Sequence, residues 1–264
     1  MKILIIGLLI ISTIVISGCT EKTDRSSTGL QIQGATVQIA SGNLSYPAYL
    51  AAPVGEGKYP AIVLIHSFNG LEPGYLNLTD NFAREGYVVI SPEWQTFNKT
   101  PPDEVVGGLI RDSVAYLGTR TDVDANRLGL TGFCAGGMYT MLFLPQMTGF
   151  KSGVAWYGFP YSTGFANQSR PEDYIGQLKA PMLMIHGTYD QASPVADIYR
   201  YAAELNTSDK YFELKVYQGQ PHGFMIENGQ LSGSFVAKDA FREMIAFFDR
   251  TLLNNSASKE TPDS

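Results

Sequence analysis

The stretch Gly132-Phe133-Cys134-Ala135-Gly136-Gly137 follows an apolar run and precedes a segment of helical length. A strand that turns sharply into a helix around a nucleophile has this pattern, usually with Ser at the position of Cys134. The flanking Gly132 and Gly136 fit such a turn because side chains there would collide with the neighbouring backbone. The turn also places the thiol at a helix N-terminus, whose dipole favours a thiolate. The stretch therefore predicts that Cys134 is a nucleophile; the alternative is a small buried apolar side chain.

Apolar runs of strand length alternate with stretches of helical length on both sides of this turn. The predicted strands are 36–40, 45–51, 61–66, 87–91, 127–132, 152–157, 181–186 and 211–217. The predicted helices are 76–85, 103–118, 136–146, 194–205 and 235–252. This alternation predicts an α/β fold in one domain, 36–253, with a mostly parallel eight-stranded sheet and helices on both faces. Only residues 41–44 separate the first two strands, which predicts an antiparallel hairpin at one edge.

Two later strands end beside residues that can carry chemistry. Strand 181–186 leads to Asp190, and strand 211–217 leads to His222 in a loop with proline and glycine. In such a sheet, ligands bind at the carboxyl ends of the strands. The order nucleophile, acid, histidine is that of the α/β-hydrolase fold, so we expect His222 to take the proton of Cys134 and Asp190 to orient the imidazole. The alternatives are a helix cap for Asp190 and an ordinary surface position for His222.

Three motifs together resemble the dienelactone hydrolase family of α/β hydrolases. They are Gly132-Phe133-Cys134-Ala135-Gly136-Gly137, His186-Gly187-Thr188-Tyr189-Asp190 and His222-Gly223-Phe224. The resemblance covers roughly residues 36–252. It implies that Cys134 is the nucleophile, Asp190 the acid and His222 the base of a catalytic triad.

The same resemblance implies an oxyanion hole built from two backbone N–H groups. They belong to Ala135 and to Phe68, which lies in the loop after strand 61–66. His66 lies near this predicted hole. His186 ends a strand, and we expect it to serve packing and hydrogen bonding of the loop that follows.

The sequence also departs from the family pattern. Family members carry a Glu that contacts the resting Cys, and Ser67 stands at the matching position. They hold an anionic substrate with two arginines, whose positions fall at Phe97 and Ile226. We therefore expect a less charged ester, thioester or lactone as substrate, because charge-assisted partners for an anionic lactone are missing. The alternatives are a true dienelactone hydrolase (carboxymethylenebutenolidase) and a non-catalytic surface binding protein on the same fold.

Aromatic residues in or beside the strand-end loops predict the wall of a substrate pocket. The predicted pocket residues are Ser67, Trp94, Phe97, Trp156 and Phe224. Further aromatic candidates in these loops are Phe68, Tyr157, Phe159, Tyr161 and Phe165. The alternative for half or more of them is a place in the core. The length of loop 158–178 favours a segment that folds over the site.

The composition excludes several classes of protein. The chain has 264 residues, two cysteines, three histidines and a formal net charge of −6. This size and an apolar content of 44% allow a full core, so a disordered or disulfide-dense chain is not expected. No Lys/Arg-rich block is present, which argues against a nucleic-acid partner. So few Cys and His residues predict no metal site, and nothing in the sequence suggests a cofactor.

The N-terminus resembles a prokaryotic lipoprotein signal. Lys2 precedes an apolar run over 3–18, and small residues lead to Cys19, which would receive a lipid after cleavage. The sequence thus predicts a signal peptide over 1–18, a polar tether over 19–35, a flexible tail over 254–264, and an exported protein anchored to a membrane through Cys19. The alternative is an uncleaved anchor, for which the run is short, because about 17–25 apolar residues span a bilayer.

Overall fold

The computed structural model describes residues 29–163 and 169–253. Its strands are β1 (Ile32–Ser41), β2 (Leu44–Pro53), β3 (Tyr59–Ile65), β4 (Val88–Pro92), β5 (Val123–Phe133), β6 (Phe150–Trp156), β7 (Met182–Gly187), β8 (Phe212–Tyr217), β9 (Ile226–Glu227) and β10 (Gln230–Leu231). Its α-helices are α1 (Pro73–Arg84), α2 (Asp103–Gly118), α3 (Ala135–Phe143), α4 (Val195–Thr207) and α5 (Phe235–Phe248). A 3₁₀ helix (Pro171–Gln177) precedes β7, and a π-helical turn (Asp249–Leu253) follows α5.

The strands β1 to β8 form one sheet in the order β1-β2-β4-β3-β5-β6-β7-β8. The pairs β1/β2 and β2/β4 are antiparallel, and all pairs from β4/β3 to β7/β8 are parallel. This confirms the mostly parallel eight-stranded sheet and the hairpin at its edge. The carboxyl ends of β3, β5, β7 and β8 therefore meet at one edge of the sheet, where the candidate site lies.

Apolar residues cover both faces of this sheet. On β3, Val63 and Ile65 join the core with α2, α3 and α4, whereas Ile62 and Leu64 join the core with α1 and α5. This two-sided burial explains why β3 is an unbroken apolar run rather than an alternating one. The central strands are thus fixed from both sides, which gives the loops at their ends a rigid base.

The first strand requires a correction to the predicted tether over 19–35. β1 begins at Ile32, and its residues 32–35 pair with residues 50–53 of β2. Alternation of side chains is weak in this segment, because most of it is exposed. Residues 32–35 therefore belong to the fold. The predicted signal peptide, Cys19 and the tail over 254–264 lie outside the described residues.

The hairpin β9–β10 was not predicted from the sequence. It follows the loop that carries His222 and packs on the first turn of α1, where the Gly74 N–H donates to the Gly229 carbonyl (2.9 Å). Strands of two residues are too short to show a periodic pattern. In residues 29–163 and 169–253, no helix has the length and apolar character needed to cross a membrane.

Candidate active site

The turn between β5 and α3 places Cys134 at the start of the helix. Cys134 has φ 57° and ψ −113°, a conformation that non-glycine residues rarely adopt. Its N–H donates to the Trp156 carbonyl (3.1 Å), and its own carbonyl accepts from the Met138 N–H (3.0 Å). The backbone on both sides thus holds the strained residue, whose side chain is only partly buried.

The glycines around Cys134 are required by close backbone contacts. A Cβ atom on Gly132 would collide with the carbonyl of Gly136, and one on Gly136 would collide with the carbonyl of Ile65. Glycine is therefore the residue that lets the turn approach the end of β3. This contact brings Ala135, the first residue of α3, next to the loop after β3 that carries Phe68.

Asp190 and His222 form a hydrogen-bonded pair at the ends of β7 and β8. Nδ1 of His222 donates to Oδ2 of Asp190 over 2.8 Å. The other oxygen, Oδ1, accepts from the N–H groups of Ala192 (3.0 Å) and Ser193 (2.8 Å). The carboxylate is fully buried, so its charge is balanced within this loop. Its orientation, and with it that of the imidazole, is fixed by the backbone.

The pKa of His222 reflects its position between a carboxylate and a thiol. Burial lowers the pKa, but the interactions with Asp190 and with Cys134 outweigh burial and raise it to about 9. Since Nδ1 is taken by Asp190, the interaction with Cys134 falls to Nε2. The structure thus brings together the three residues that the sequence singled out, with the imidazole of His222 between the Asp190 carboxylate and the Cys134 thiol.

His186 supports Asp190 from the protein interior. Its Nε2 donates to the Ser193 carbonyl (2.8 Å) and lies 3.3 Å from Oδ2 of Asp190. Burial lowers the pKa of His186, so the ring is neutral near pH 7. Ser193 in turn donates through Oγ to the Gly158 carbonyl (2.7 Å). These contacts confirm the predicted role of His186 in loop hydrogen bonding.

Three of the predicted pocket residues lie in the core instead. Trp94, Trp156 and Phe224 are each at most 2% exposed. Trp156 stacks on Phe133 (4.9 Å between ring centroids), and its Nε1 lies 3.2 Å from the Met244 sulfur. Large aromatic side chains at strand ends fill space below the site as readily as beside it, and the sequence does not distinguish the two. The structure therefore places these three side chains in the core, which was the alternative for half or more of the aromatic candidates.

The other two predicted pocket residues have different surroundings. Phe97 is 55% exposed, and its ring packs edge-on against Tyr46 of β2 (5.0 Å). Ser67 is buried, and its Oγ accepts from the Asn69 N–H (3.2 Å). Phe68 is half-buried beside the same loop.

The beginning of loop 158–178 lies over the candidate triad. The ring of Phe159 packs 5.3 Å from that of His222. Tyr161 packs farther away, on Tyr201 of α4. Phe165 lies outside the described residues. The described part of the loop therefore supplies one apolar side chain to the site.

Two buried tyrosines lie near Cys134. Tyr75 of α1 packs on Phe133 (5.5 Å), and hydrogen bonds join its hydroxyl to the side chain and backbone of Ser67. Tyr157 follows β6 with φ 35°, and its ring packs 5.0 Å from His222. Burial first, and the charge of Cys134 in addition, raise the pKa of both phenols. Tyr157 was among the aromatic candidates, but nothing in the helical pattern around Tyr75 distinguishes it from a core residue.

Groups of three or more His, Cys, Asp or Glu side chains that could hold a metal ion do not occur in the described parts of the chain.

Comparison with known proteins agrees with this fold. The model of the Dienelactone hydrolase family matches residues 46–252. A Salmonella typhimurium protein named "Putative carboxymethylenebutenolidase" is 28% identical over 235 residues, which cover 82% of this chain and 87% of the relative. A Bradyrhizobium protein named "Probable 2-oxo-3-(5-oxofuran-2-ylidene)propanoate lactonase" is 28% identical over 205 residues, which cover 71% and 82%.

Among solved structures, a Klebsiella pneumoniae protein named "Putative Dienelactone Hydrolase" superimposes on this chain with a TM-score of 0.76 at 26% sequence identity. The match covers 83% of this chain and 99% of the other. The family match extends from β2 to the π-helical turn and includes the turn at Cys134 and the loops of Asp190 and His222. The chain therefore belongs to the dienelactone hydrolase family and is a hydrolase with the α/β-hydrolase fold.

Proposed function

We propose that this family member cleaves an ester, thioester or lactone through a Cys134-His222-Asp190 triad and a covalent acyl-enzyme. The observation that carries the proposal is the strained turn at Cys134. This turn places the thiol beside the imidazole of His222, which is hydrogen-bonded to the buried carboxylate of Asp190. Strain at such a position is typical of a functional residue. A thiol used only for packing would need neither the strained turn nor the charged partners.

The proposed reaction has two steps. In the first, the Cys134 thiolate forms a bond to the carbonyl carbon, and the N–H groups of Phe68 and Ala135 bind the resulting oxyanion. The bond to the leaving oxygen or sulfur then breaks, and His222 donates its proton to that atom. In the second step, His222 takes a proton from water, which attacks the acyl-enzyme and releases the acid and the thiolate.

The groups around the site support a substrate with little charge. The positions where the family resemblance implies arginines hold Phe97 and Ile226, and the described part of the loop over the site contributes Phe159. The names of two relatives refer to lactones, and a lactone falls within the proposed class. We propose a neutral ester, thioester or lactone rather than an anionic dienelactone.

The test is a substrate panel measured on the wild type and on Cys134→Ala. Short and long acyl nitrophenyl esters, an acyl thioester, a neutral lactone and a dienelactone form the panel. We expect hydrolysis of the neutral compounds and loss of activity by at least about 10³-fold in the variant. Activity that survives in Cys134→Ala would refute the mechanism, and a clear preference for dienelactone would favour a carboxymethylenebutenolidase. A wild type inactive on the whole panel, with a thiol inert to alkylation, would favour a binding protein.

We further propose that the chain is exported and anchored to a membrane through a lipid on Cys19. The proposal depends on the sequence around Cys19 alone. Expression with a labelled fatty acid should give a labelled protein in the membrane fraction, and Cys19→Ala should abolish the label. A wild type that carries no label would contradict the proposal.

A further inference from the structure

The tripeptide His66-Ser67-Phe68 after β3 has each of its carbonyl groups bound by a side chain. Trp94 Nε1 donates to the His66 carbonyl (3.2 Å), and His66 Nδ1 donates to the Ser67 carbonyl (2.7 Å). Lys99 Nζ donates to the Phe68 carbonyl (2.5 Å). All three carbonyl directions are therefore set by groups outside the tripeptide backbone.

These contacts fix the directions of the peptide units on both sides of Phe68. A trans peptide is planar, and its N–H points opposite to its carbonyl. Because His66 and the Gly70 N–H (3.2 Å) hold the Ser67 carbonyl, the Phe68 N–H points the other way. The next unit is held at both ends, since Lys99 binds the Phe68 carbonyl and Ser67 Oγ accepts from the Asn69 N–H (3.2 Å).

The inner contact does not depend on pH near neutrality. His66 is fully buried, and its ring stacks on Trp94 (5.3 Å). Burial lowers the pKa of His66 to about 4, although its hydrogen bond to Ser67 acts in the opposite direction. The ring is therefore neutral, and Nδ1 carries the proton because its partner is a carbonyl.

The outer contact comes from an exposed loop rather than from the core. Phe97 anchors this loop on Tyr46 (5.0 Å), and Gln95 Nε2 donates to the Lys99 carbonyl (2.8 Å). The Lys99 ammonium also lies 4.6 Å from the centroid of the Phe68 ring, a cation–π contact. One exposed side chain thus holds both the backbone and the ring of Phe68.

We propose that Lys99 is a positioning residue for acyl transfer: its ammonium holds Phe68 so that the Phe68 N–H is presented to the oxyanion. This inference rests on the proposed function, in which that N–H binds the oxyanion. His66 sets the direction of the N–H from the interior, and Lys99 keeps the loop closed from the outside. Without Lys99, both the hydrogen bond to the Phe68 carbonyl and the cation–π contact with the Phe68 ring are lost.

Two reactions of Cys134 separate this role from a general effect on the thiol. Acylation by a nitrophenyl ester develops an oxyanion, whereas alkylation by iodoacetamide displaces iodide at a saturated carbon and develops none at the reacting centre. We expect Lys99→Met to slow single-turnover acylation about tenfold, the size of one hydrogen bond to a charged group, and to leave alkylation unchanged. Lys99→Arg should restore acylation to within about threefold, because a guanidinium can make both contacts.

Lys210→Met is the matched control. Lys210 also donates to a backbone carbonyl at an exposed position, that of Gly176 (2.9 Å) in the 3₁₀ helix before β7. Both rates should match the wild type in this variant. Unchanged acylation in Lys99→Met, or an equal loss of acylation and alkylation, would overturn the inference alone. A wild type that is alkylated but acylated by no ester would overturn the proposed function and this inference with it.

Discussion

The backbone at Cys134 is strained, and this strain has a measurable effect on stability. A residue with φ 57° and ψ −113° is disfavoured for any side chain that has a Cβ atom. Cys134→Gly should therefore unfold with a free energy about 1 kcal/mol higher than Cys134→Ala, although both variants lack the thiol. Urea unfolding of the pair provides the measurement, with Ala135→Gly in the same helix as a control that should lose stability. Equal stabilities for the two Cys134 variants would contradict the strain.

The raised pKa of His222 predicts a pH dependence of stability. A group whose pKa is higher in the folded state stabilises the fold most when it is protonated in both states. The contribution is complete below pH ~6.5, the ordinary value for His, and is lost as the pH rises through about 9. The Tm gap between the wild type and His222→Gln should narrow between pH 6.5 and 9. A gap that stays constant or widens over this interval would argue against the raised pKa.

At the scale of residues, the sequence predicts chemistry better than it predicts surroundings. The glycines on either side of Cys134, where a Cβ atom would collide with the backbone, indicate the turn of a nucleophile. Asp190 and His222 are indicated by their positions directly after predicted strands. Trp156 and Tyr75 carry no such local signal, because burial depends on which elements pack together. An aromatic residue next to a strand end is compatible with the pocket and with the core.

At the scale of elements, the hairpin β9–β10 connects the loop of His222 to α1. A Cβ atom on Gly74 would lie 2.8 Å from backbone atoms of Gln230 and Leu231 and from the side chain of Ile226. Gly74→Ala should therefore push the hairpin away and cost about 1–3 kcal/mol in the free energy of unfolding. Activity should fall as well, because the Ile226 N–H donates to the Gly223 carbonyl (2.9 Å), next to His222.

Gly118→Ala is the control for this substitution. Gly118 ends α2, and a Cβ atom there meets nothing within 4 Å. This variant should be at least as stable as the wild type, because alanine favours a helix more than glycine does. If Gly74→Ala is likewise as stable as the wild type, the hairpin does not pack closely against Gly74.

The helices and long strands could be predicted because they bury one face or both. The hairpin could not, since its two-residue strands are held by α1 and not by their own pattern. Likewise, α3 ends at Phe143, before the predicted residue 146, and α1 begins at Pro73, before the predicted residue 76. Helix ends depend on local capping and packing more than on periodicity.

At the scale of the whole molecule, the boundary of the folded unit is open to a direct test. A chain that begins at residue 29 keeps all described contacts, whereas one that begins at residue 36 loses the pairing of residues 32–35 with β2. The shorter chain also loses the bonds from Val54 to Gln31 (2.7 Å) and from Leu30 to Arg84 (3.1 Å).

We expect the chain from residue 36 to be about 2–4 kcal/mol less stable than the chain from residue 29, given about 0.5–1.5 kcal/mol for each hydrogen bond. The chain from residue 29 should match the full chain in Tm. Thermal and urea unfolding of the three chains would measure these Tm values and free energies of unfolding. If the two shortened chains were equally stable, residues 32–35 would not contribute to the fold and would belong to the tether, as the sequence predicts.

The sheet order has a consequence for the time course of folding. The candidate nucleophile lies at the end of β5, its acid after β7 and its histidine after β8, the strand at the edge of the sheet. A chain in which β8 has not yet paired therefore has a thiol in place but no base beside it. Contacts between residues so far apart in sequence form slowly, because the chain between them must first close into a loop. Recovery of hydrolysis during refolding should thus lag behind recovery of secondary structure, because hydrolysis requires β8 to be paired with β7.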